Sequence, residues 1–393
     1  MSENSPLELR IAISHLEFLK PSEKLVLEEK CSSLQELLAL SLSDISLCIK
    51  RSLDTKLWPF LNLENLVKRD IFLMKKLKIG VLHCKDDAYP KLLSQIYDPP
   101  YLLFFRGDAS ILNNDSVGII GSRHATKTAW KITYNFAGEV AKNGINVISG
   151  LATGIDSCAH KGCIESVHVV ETERTADGSA TKSACLAESA RVSDEHVSDE
   201  HVSDVHVSDG RVSDVHVSEN PLFRRCIGKT VAVLAGGLDS IYPKSNVSLA
   251  SRILQDGGCL VSEYAPTEPP LQYHFPARNR IISGLSKAVI VMEAPPKSGA
   301  LITADFAIEQ DRELFFHQRA VDYDVQLGNE FLKNKNAKTA NVMRYKRVLK
   351  YVEDGACVVQ SVDEFLKALF NEEYIKKCND DPNEVYASNG VLF

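Results

Sequence analysis

The chain has 393 residues, of which 44% are apolar and 25% are charged, and its formal net charge is −7. This composition predicts a globular protein with a sizeable core and two or three structural units. Because no stretch of about 18 uncharged apolar residues occurs and the start MSENSPLELR has no secretion-signal features, we expect a cytoplasmic protein without a membrane segment. The ten cysteines form no CxxC pair, which predicts reduced thiols rather than a disulfide framework or a zinc site.

Residues 1–80 have the apolar spacing of short helices in LELRIAISHLEFL, SLQELLALS and LENLVKRDIFLMKKLKIG. We therefore predict a small N-terminal helical module. Residues 81–110, which include DDAYPKLLSQIYDPPYLLFFRGD, are predicted to be a linker into the next domain. The run KRDIFLMKKLK fits a basic patch for DNA, but a solvated cationic helix face is the more frequent explanation of such a run.

From residue 111 to residue 370, short apolar strands alternate with amphipathic helices. SVGIIGS is a predicted strand, Thr126 is the predicted N-cap of a helix that ends near Asn143, and INVISG is the next strand. A glycine turn in LATGIDSCAHKG then enters a second helix. The later strands are KTVAVLAGG, CLVSEY, KAVIVMEA and ELFFH, with helices in NVSLASRILQDGG and ALITADFAIEQD. This alternation predicts an α/β fold with an extended Rossmann-type, doubly wound, mostly parallel sheet.

Residues 164–225 interrupt this pattern. Within them, Arg191 to Asn220 are six copies of a five-residue unit, RVSDEHVSDEHVSDVHVSDGRVSDVHVSEN. Each unit usually supplies a single Val, which is too little apolar surface to offset the ordering entropy, so we predict a disordered insert. The insert holds 13 acidic and 6 basic residues, and the rest of the chain holds 39 of each sign. The net negative charge therefore belongs to the insert, and it does not argue against a locally basic binding site.

Two specific roles for the insert are less favoured than simple disorder. Metal capture by its histidines is disfavoured because a five-residue spacing on a flexible chain preorganises no coordination shell. Competition with a polyanionic ligand is disfavoured because the insert follows a helix and precedes a strand, which places it at the amino ends of the strands. The histidines concerned are His196, His201, His206 and His216.

Three predicted strands end in glycine corners, at Gly121-Ser122-Arg123, at Gly150 to Gly154 and at Gly236-Gly237. In a parallel sheet, ligands bind beyond the carboxyl ends of the strands, where helix N-termini offer free N–H groups to an anion. Glycine lets a phosphate approach the backbone, and an arginine fork with a serine hydroxyl completes a phosphate cradle. One such corner alone is equally well explained as a turn, but three corners at one edge favour anion binding.

Neither G-x-G-x-x-G nor G-x-x-x-x-G-K-[ST] is present, so no dinucleotide, nucleotide cofactor or metal is predicted. Cations and aromatic rings are interleaved in YHFPARNRIISGLS and LDSIYPKSN, which is typical of sites for single-stranded nucleic acid. The rings of Tyr242 and Phe275 are candidates for base stacking, and packing in the core or at a hinge is the alternative explanation for them. The residues concerned are Tyr242, Lys244, Phe275, Arg278, Asn279 and Arg280.

The ordered motifs GSR, SGLATGIDSCAH, TVAVLAGGLDSIYP, LVSEY, FPARNRIISGLS, VIVMEA and KSGALITA resemble the DprA/Smf family of DNA-processing proteins, over about Tyr89 to Phe316. The resemblance implies a homodimeric protein, without a catalytic step, that binds single-stranded DNA in natural transformation and recombination and helps to load the RecA recombinase. The strand-binding residues that it implies are Gly121, Ser122, Arg123, Gly150, Gly154, Lys244, Arg278, Asn279, Arg280, Ser298 and Gly299.

Some residues and segments fit the family pattern less well. Asp156 and His160 match a family motif, but roles at a helix start and in polar packing explain them better. His317-Gln318 replaces the usual proline-glycine, and a long basic loop is expected from there to residue 350. The N-terminal module is similar to a sterile-alpha-motif or helix-hairpin-helix piece, and the tail 371–393 is too short for a winged-helix domain. One of the two arginines of the arginine-asparagine-arginine triplet is also explained as an internal ion-pair partner.

Two other classes of function compete with DNA binding. A Rossmann-type nucleotide-processing enzyme, similar to phosphoribohydrolases, would share the glycine corners, but its P-G-G-x-G-T-x-x-E signature and a pair of catalytic carboxylates are missing. A structural or signalling role of the repeat insert alone is the other alternative, since disordered repeats bind partners.

Overall fold

The computed structural model describes residues 6–53, 62–175, 228–333 and 347–370. The repeats and the C-terminal tail lie outside the described residues, so what the sequence predicts for them stays a prediction. None of the described helices is long and apolar enough to cross a membrane.

Within the described residues, five α-helices precede the first strand. Ser33 and Ser41 cap two of them, because their hydroxyls accept hydrogen bonds from backbone N–H groups in the first turn. The buried side chains of these helices form one apolar cluster with Leu102, Phe104 and Leu260, so the helices pack directly onto the sheet. The five helices are α1 (Pro6–Ser14), α2 (Pro21–Lys30), α3 (Leu34–Ala39), α4 (Leu42–Ile49) and α5 (Leu63–Leu77).

Nine strands of the described residues form one sheet in the order β1-β2-β6-β5-β4-β3-β7-β8-β9. β1 and β2 are antiparallel to their neighbours, and all other pairs are parallel, which confirms the predicted doubly wound α/β sheet. The strands are β1 (Gly80–His83), β2 (Leu102–Gly107), β3 (Ser116–Ile120), β4 (Asn146–Ser149), β5 (Thr230–Val233), β6 (Cys259–Ser262), β7 (Ala288–Val291), β8 (Glu313–His317) and β9 (Cys357–Val359).

Helices cover both faces of the sheet and bury two apolar layers against it. Thr126 caps α7 as predicted, since its hydroxyl accepts from the Ala129 N–H at 3.2 Å. α7 and α8 approach closely at Gly162, where an added Cβ would lie 2.1 Å from the Tyr134 carbonyl oxygen. The helices are α6 (Lys91–Ser94), α7 (Lys127–Lys142), α8 (Ile155–Thr175), α9 (Val247–Gln255), α10 (His274–Gly284), α11 (Gly299–Glu309), α12 (Gln318–Lys333), α13 (Val348–Glu353) and α14 (Val362–Phe370).

Three segments differ from the sequence-based expectation. The first part of the predicted disordered insert, residues 164–175, continues the helix α8, and its Ile164 is buried in the core. The segment 81–110 contributes β1 and β2 to the sheet, because Leu102, Leu103 and Phe104 are buried rather than exposed in a linker. The start of the expected basic loop after β8 is the helix α12, whose Ala320 and Val321 pack into the core. Residues 334–346 of that expected loop lie outside the described residues, and its last residues, 348–350, begin the helix α13.

Candidate functional site

The loops that follow β3, β4, β5 and β7 lie at the carboxyl edge of the parallel strands. The chain winds outward from β3 to β6 and then returns to β7 on the other side of β3. Loops after β3 and β7 therefore diverge, which leaves a crevice where ligands bind in open α/β sheets. Two adjoining cavities occupy this edge, and both are lined by Arg123, Ala152, Phe275 and Arg278.

The first cavity has a volume of about 170 Å³ and is bordered by aromatic rings. The Tyr242 side chain is 55% exposed, and its ring centroid lies 5.5 Å from that of the half-buried Phe275 at an interplanar angle of 63°. The exposed Arg123 holds its guanidinium carbon 5.4 Å from the Phe275 ring centroid. A ligand in this cavity therefore meets ring surfaces and a cation together.

The second cavity lies between the loop after β3 and the start of α11. Ser298 caps α11, since its hydroxyl accepts from the Ala300 N–H at 3.3 Å, and the positive end of the helix dipole faces the cavity. Among the described side chains that line the two cavities, the arginine and lysine residues are Arg123, Arg278 and Lys297, and the one carboxylate is that of Asp156. This excess of positive charge favours an anionic ligand.

Arg278 forms the floor that the two cavities share. Its side chain is 4% exposed, and Nη1 donates to the carbonyl oxygens of Gly150, at 2.8 Å, and Val233. Burial lowers the pKa of Arg278 to about 10, although the carboxylate of Asp156 opposes the shift. The guanidinium therefore stays charged at neutral pH and adds a fixed positive charge beneath a bound ligand.

Asp156 and His160 are buried beneath the glycine corner after β4 and form hydrogen bonds there. The Asp156 Oδ2 accepts from the backbone N–H groups of Gly150 and Ala152 at 3.1 and 3.3 Å, and burial raises its pKa against the effect of Arg278. The His160 Nδ1 lies 2.7 Å from the Thr230 hydroxyl, and burial lowers the pKa of this histidine to about 3. Both side chains are thus engaged in packing and in shaping the corner.

The first two glycine corners pack against each other without room for larger residues. Gly154 has φ +81°, and an added Cβ would lie 2.2 Å from the Ser122 carbonyl oxygen. At Gly121, an added Cβ would lie 2.5 Å from Cγ1 of Ile155 and 2.8 Å from the Glu293 carbonyl oxygen. The glycines therefore allow the loops after β3 and β4 to approach each other at the cavity mouth.

Glu293, which was not among the predicted site residues, supports this corner. Its fully buried carboxylate accepts from the Thr126 N–H and hydroxyl at 2.9 and 2.7 Å and pairs with Arg319 at 3.3 Å. Its carbonyl oxygen accepts from the Ser122 N–H at 2.7 Å. The sequence signal that could have identified Glu293 was a carboxylate that follows the apolar run of β7, at the same carboxyl edge of the sheet as the glycine corners.

The loop between β6 and α10 connects the first cavity to the N-terminal helices. Its Pro270 lines the cavity, and its Thr267 donates both its N–H and its hydroxyl to Oδ1 of the buried Asp70 on α5, at 3.0 and 2.8 Å. The other Asp70 oxygen lies 2.6 Å from Nε2 of His15, whose Nδ1 lies 3.8 Å from Glu268. Burial lowers the pKa of His15, but hydrogen bonds to both carboxylates raise it to about 9 overall.

Arg280 points away from the two cavities. Its 7% exposed side chain binds Glu263 through Nη1 and Nη2 at 3.0 and 2.7 Å, and Asp98 through Nε at 2.9 Å. Of the two internal arginines, Arg280 is thus the ion-pair partner. Asn279 accepts from the Arg278 Nε and donates to the Gly299 carbonyl oxygen, which ties α10 to the start of α11.

The structure brings most of the sequence-predicted residues to this edge. Lys244 is exposed at the rim, directly after Tyr242 and Pro243, but it does not line either cavity. No group of three or more potential metal ligands is assembled in the part of the chain that the structure describes. The predicted residues that line the cavities are Gly121, Ser122, Arg123, Gly150, Tyr242, Phe275, Arg278, Asn279, Ser298 and Gly299.

Comparisons with known proteins give a consistent result. A family model described as DNA recombination-mediator protein A matches residues 80–174 and 223–368. The chain is 34% identical over 230 residues to the DNA processing protein DprA of Streptococcus pneumoniae and 32% identical over 238 residues to that of Bacillus subtilis. These alignments cover 58% and 60% of this chain, and the chain spans 60% of the length of each relative.

The fold is also similar to a solved structure. The X-ray structure of DNA processing protein A from Streptococcus pneumoniae matches with a TM-score of 0.57 and 26% sequence identity. The match covers 91% of this chain and 96% of that chain.

Proposed function

Because this chain belongs to the DNA recombination-mediator protein A family, we propose that it binds single-stranded DNA at the carboxyl edge of its sheet. We further propose that it is a binding protein rather than an enzyme, that it acts as a cytoplasmic homodimer, and that it helps to load the RecA recombinase in DNA uptake and recombination. The names of its relatives as DNA processing proteins support the choice of DNA as the ligand.

The observation that carries the proposal is the contact of Arg123 with Phe275, next to Tyr242. A single strand offers phosphates for the guanidinium and unpaired bases for the rings, whereas a duplex hides the faces of its bases. Arg123 is exposed and forms no salt bridge within the described residues, so its guanidinium is available to a phosphate. Lys297 and the start of α11 offer a second place for a phosphate in the adjoining cavity.

The alternative of a nucleotide-processing enzyme finds less support in the geometry. General acid–base catalysis needs a carboxyl or imidazole group within hydrogen-bond reach of the ligand. Among the residues that line the cavities, Asp156 and His124 carry such groups. The Asp156 Oδ2 is occupied by two backbone N–H groups, and no carboxylate of the described residues orients the exposed His124 ring as a base. The site is therefore better suited to holding a polyanion than to cleaving it.

The test of DNA binding is a comparison of single-stranded and duplex DNA of one sequence over a salt series. We expect tighter binding of the single strand and a logarithm of affinity that falls linearly with the logarithm of salt concentration. Equal binding of duplex, or the absence of salt dependence, would contradict the proposal. Light scattering of the purified chain tests the homodimer, and assembly of RecA filaments with wild-type and Arg123→Ala protein tests the loading function.

A further inference from the structure

A pair of stacked aromatic rings lies on the outer surface of α7, beside the proposed DNA site. Trp130 is 40% exposed, and its ring centroid lies 5.6 Å from that of Tyr134 at an interplanar angle of only 8°. Parallel rings in contact are about 3.5 Å apart, so this centroid separation corresponds to a lateral offset of about 4 Å. The offset leaves much of the indole face uncovered by the tyrosine ring.

Lysine side chains surround the exposed indole. The Lys161 Nζ on α8 lies 5.9 Å from the Trp130 ring centroid, and Lys127 and Lys131 are exposed within one turn of Trp130 on α7. The nearby carboxylate of Glu165 is engaged by the Tyr134 hydroxyl and by Arg252. The surface therefore combines an exposed aromatic pair with an excess of positive charge.

The position of this pair relative to the cavities matters as much as its chemistry. α7 begins four residues after Arg123, so Trp130, in the first turn of α7, lies at the end of this helix that follows the loop lining the second cavity. On α8, Asp156 lines that cavity, and Lys161 follows five residues later, which corresponds to about 7.5 Å along the helix. A strand that leaves the cavity reaches this surface within a few nucleotides, since successive phosphates are at least about 3.4 Å apart.

Resting on the proposed function, we propose that Trp130 and Tyr134, with Lys161, form a second base-stacking subsite for single-stranded DNA that leaves the cavity. An unpaired base stacks on the exposed indole in place of the flexible Lys161 side chain, which moves to the adjacent phosphate. A protein partner would also use the Trp130 and Tyr134 rings, but the exposed lysines beside them are depleted in the cores of protein interfaces and suit a polyanion.

The first experiment uses the fluorescence of Trp130 itself. The chain has two tryptophans, Trp58 and Trp130, so the variant Trp58→Phe leaves Trp130 as the single emitter. Oligo-dT probes of about 4 and about 16 nucleotides span the range of site sizes of single-strand-binding folds. We expect the long probe to quench Trp130 emission in proportion to binding, and the short probe to bind in the cavity without quenching.

A second experiment measures the contribution of the ring to affinity. Trp130→Ala is expected to weaken binding of the long probe at least fivefold and to leave binding of the short probe unchanged, because stacking of one base is lost. Phe72→Ala is the matched control, since Phe72 is a more exposed ring, at 63%, on the cationic helix α5. A long probe that lacks bases in the part that leaves the cavity should bind wild-type protein and Trp130→Ala equally.

The outcomes separate this inference from the proposed function. Failure of both probes to bind wild-type protein would overturn the function itself. Normal binding of both probes without quenching of Trp130, or a loss in Phe72→Ala as large as that in Trp130→Ala, would overturn the subsite alone. The fluorescence result decides the matter even where Trp130→Ala fails to fold, because it needs no change at Trp130.

Discussion

Replacement of Arg123 by alanine is the sharpest test of the phosphate contact proposed at the sheet edge. The side chain is exposed and makes no salt bridge within the described residues, so its removal should leave the fold intact. We expect binding of single-stranded DNA to weaken by about 1–3 kcal/mol, which is about 5- to 150-fold, and to weaken for all sequences alike.

The magnitude follows from what the guanidinium gains on binding. A hydrogen bond between a charged group and a phosphate contributes about 1.5–3 kcal/mol. The contact with the Phe275 ring, worth about 0.5–1 kcal/mol at an exposed site, exists in the free protein, so its loss affects unfolding more than affinity. Each phosphate neutralised on a single strand contributes about 0.7 to the salt slope, and the slope should become shallower by that amount.

The assay is fluorescence anisotropy of a labelled oligo-dT over a salt series, with thermal unfolding of each variant measured in parallel. Arg106→Ala is the matched control, because β2 is antiparallel to β6 and places Arg106 near the opposite edge of the sheet. Unchanged affinity and slope in a folded Arg123→Ala protein would refute the reasoning. An equal loss in Arg106→Ala would show that general charge, and not this site, holds the DNA.

Four further predictions concern other parts of the molecule. Arg280→Ala should lower the free energy of unfolding in urea by about 2–3 kcal/mol, since it removes a buried guanidinium that pairs with the partly exposed carboxylates of Glu263 and Asp98, and a loss of DNA affinity without a loss of stability would contradict this. The His15 contact with Asp70 should stabilise the fold fully below pH 6.5 and lose its effect as pH rises through about 9, because the folded-state pKa is raised; His15→Gln should flatten that part of the pH dependence of the unfolding midpoint. Replacement of residues 191–220 by a short Gly-Ser linker should leave DNA affinity unchanged at physiological salt, whereas a tenfold gain that fades with salt would identify the repeats as an inhibitor. The purified protein should neither cut DNA nor hydrolyse nucleoside triphosphates, and turnover that a substitution at Gly121 abolishes would reverse this expectation.

The core strands and helices were predictable because their local signals agree with their environment. The apolar β-branched runs of β3, β4, β5 and β7 are buried on both faces, and Thr126 caps α7 with the side chain that its type predicts. The edge strand β2 was harder, because its apolar run follows two prolines, and its pairing with β6 joins residues about 155 positions apart. Local periodicity carries no information about such a partner.

The glycine corners of the candidate site were predictable from the sequence, but the buried residues that position them were less so. Glycine and arginine after a strand identify the mouth of the cavity from local sequence alone. Arg278 and Arg280 look alike in sequence, but they are two residues apart on a helix and therefore face different sides. Which one meets the cavity depends on Glu263 and Asp98, and only the tertiary structure places these carboxylates beside Arg280.

The place where the repeats enter the chain has a practical consequence. They separate α8 from β5, and Gly228, just before β5, donates to the Ala141 carbonyl oxygen near the start of β4, at the amino edge of the sheet. That edge is one strand length away from the cavities, and the entropy of closing a loop grows only slowly with its length. The junction is therefore a suitable insertion site for a fluorescent label, an affinity tag or a whole reporter domain. Such an insertion would leave the opposite edge of the sheet free for its ligand.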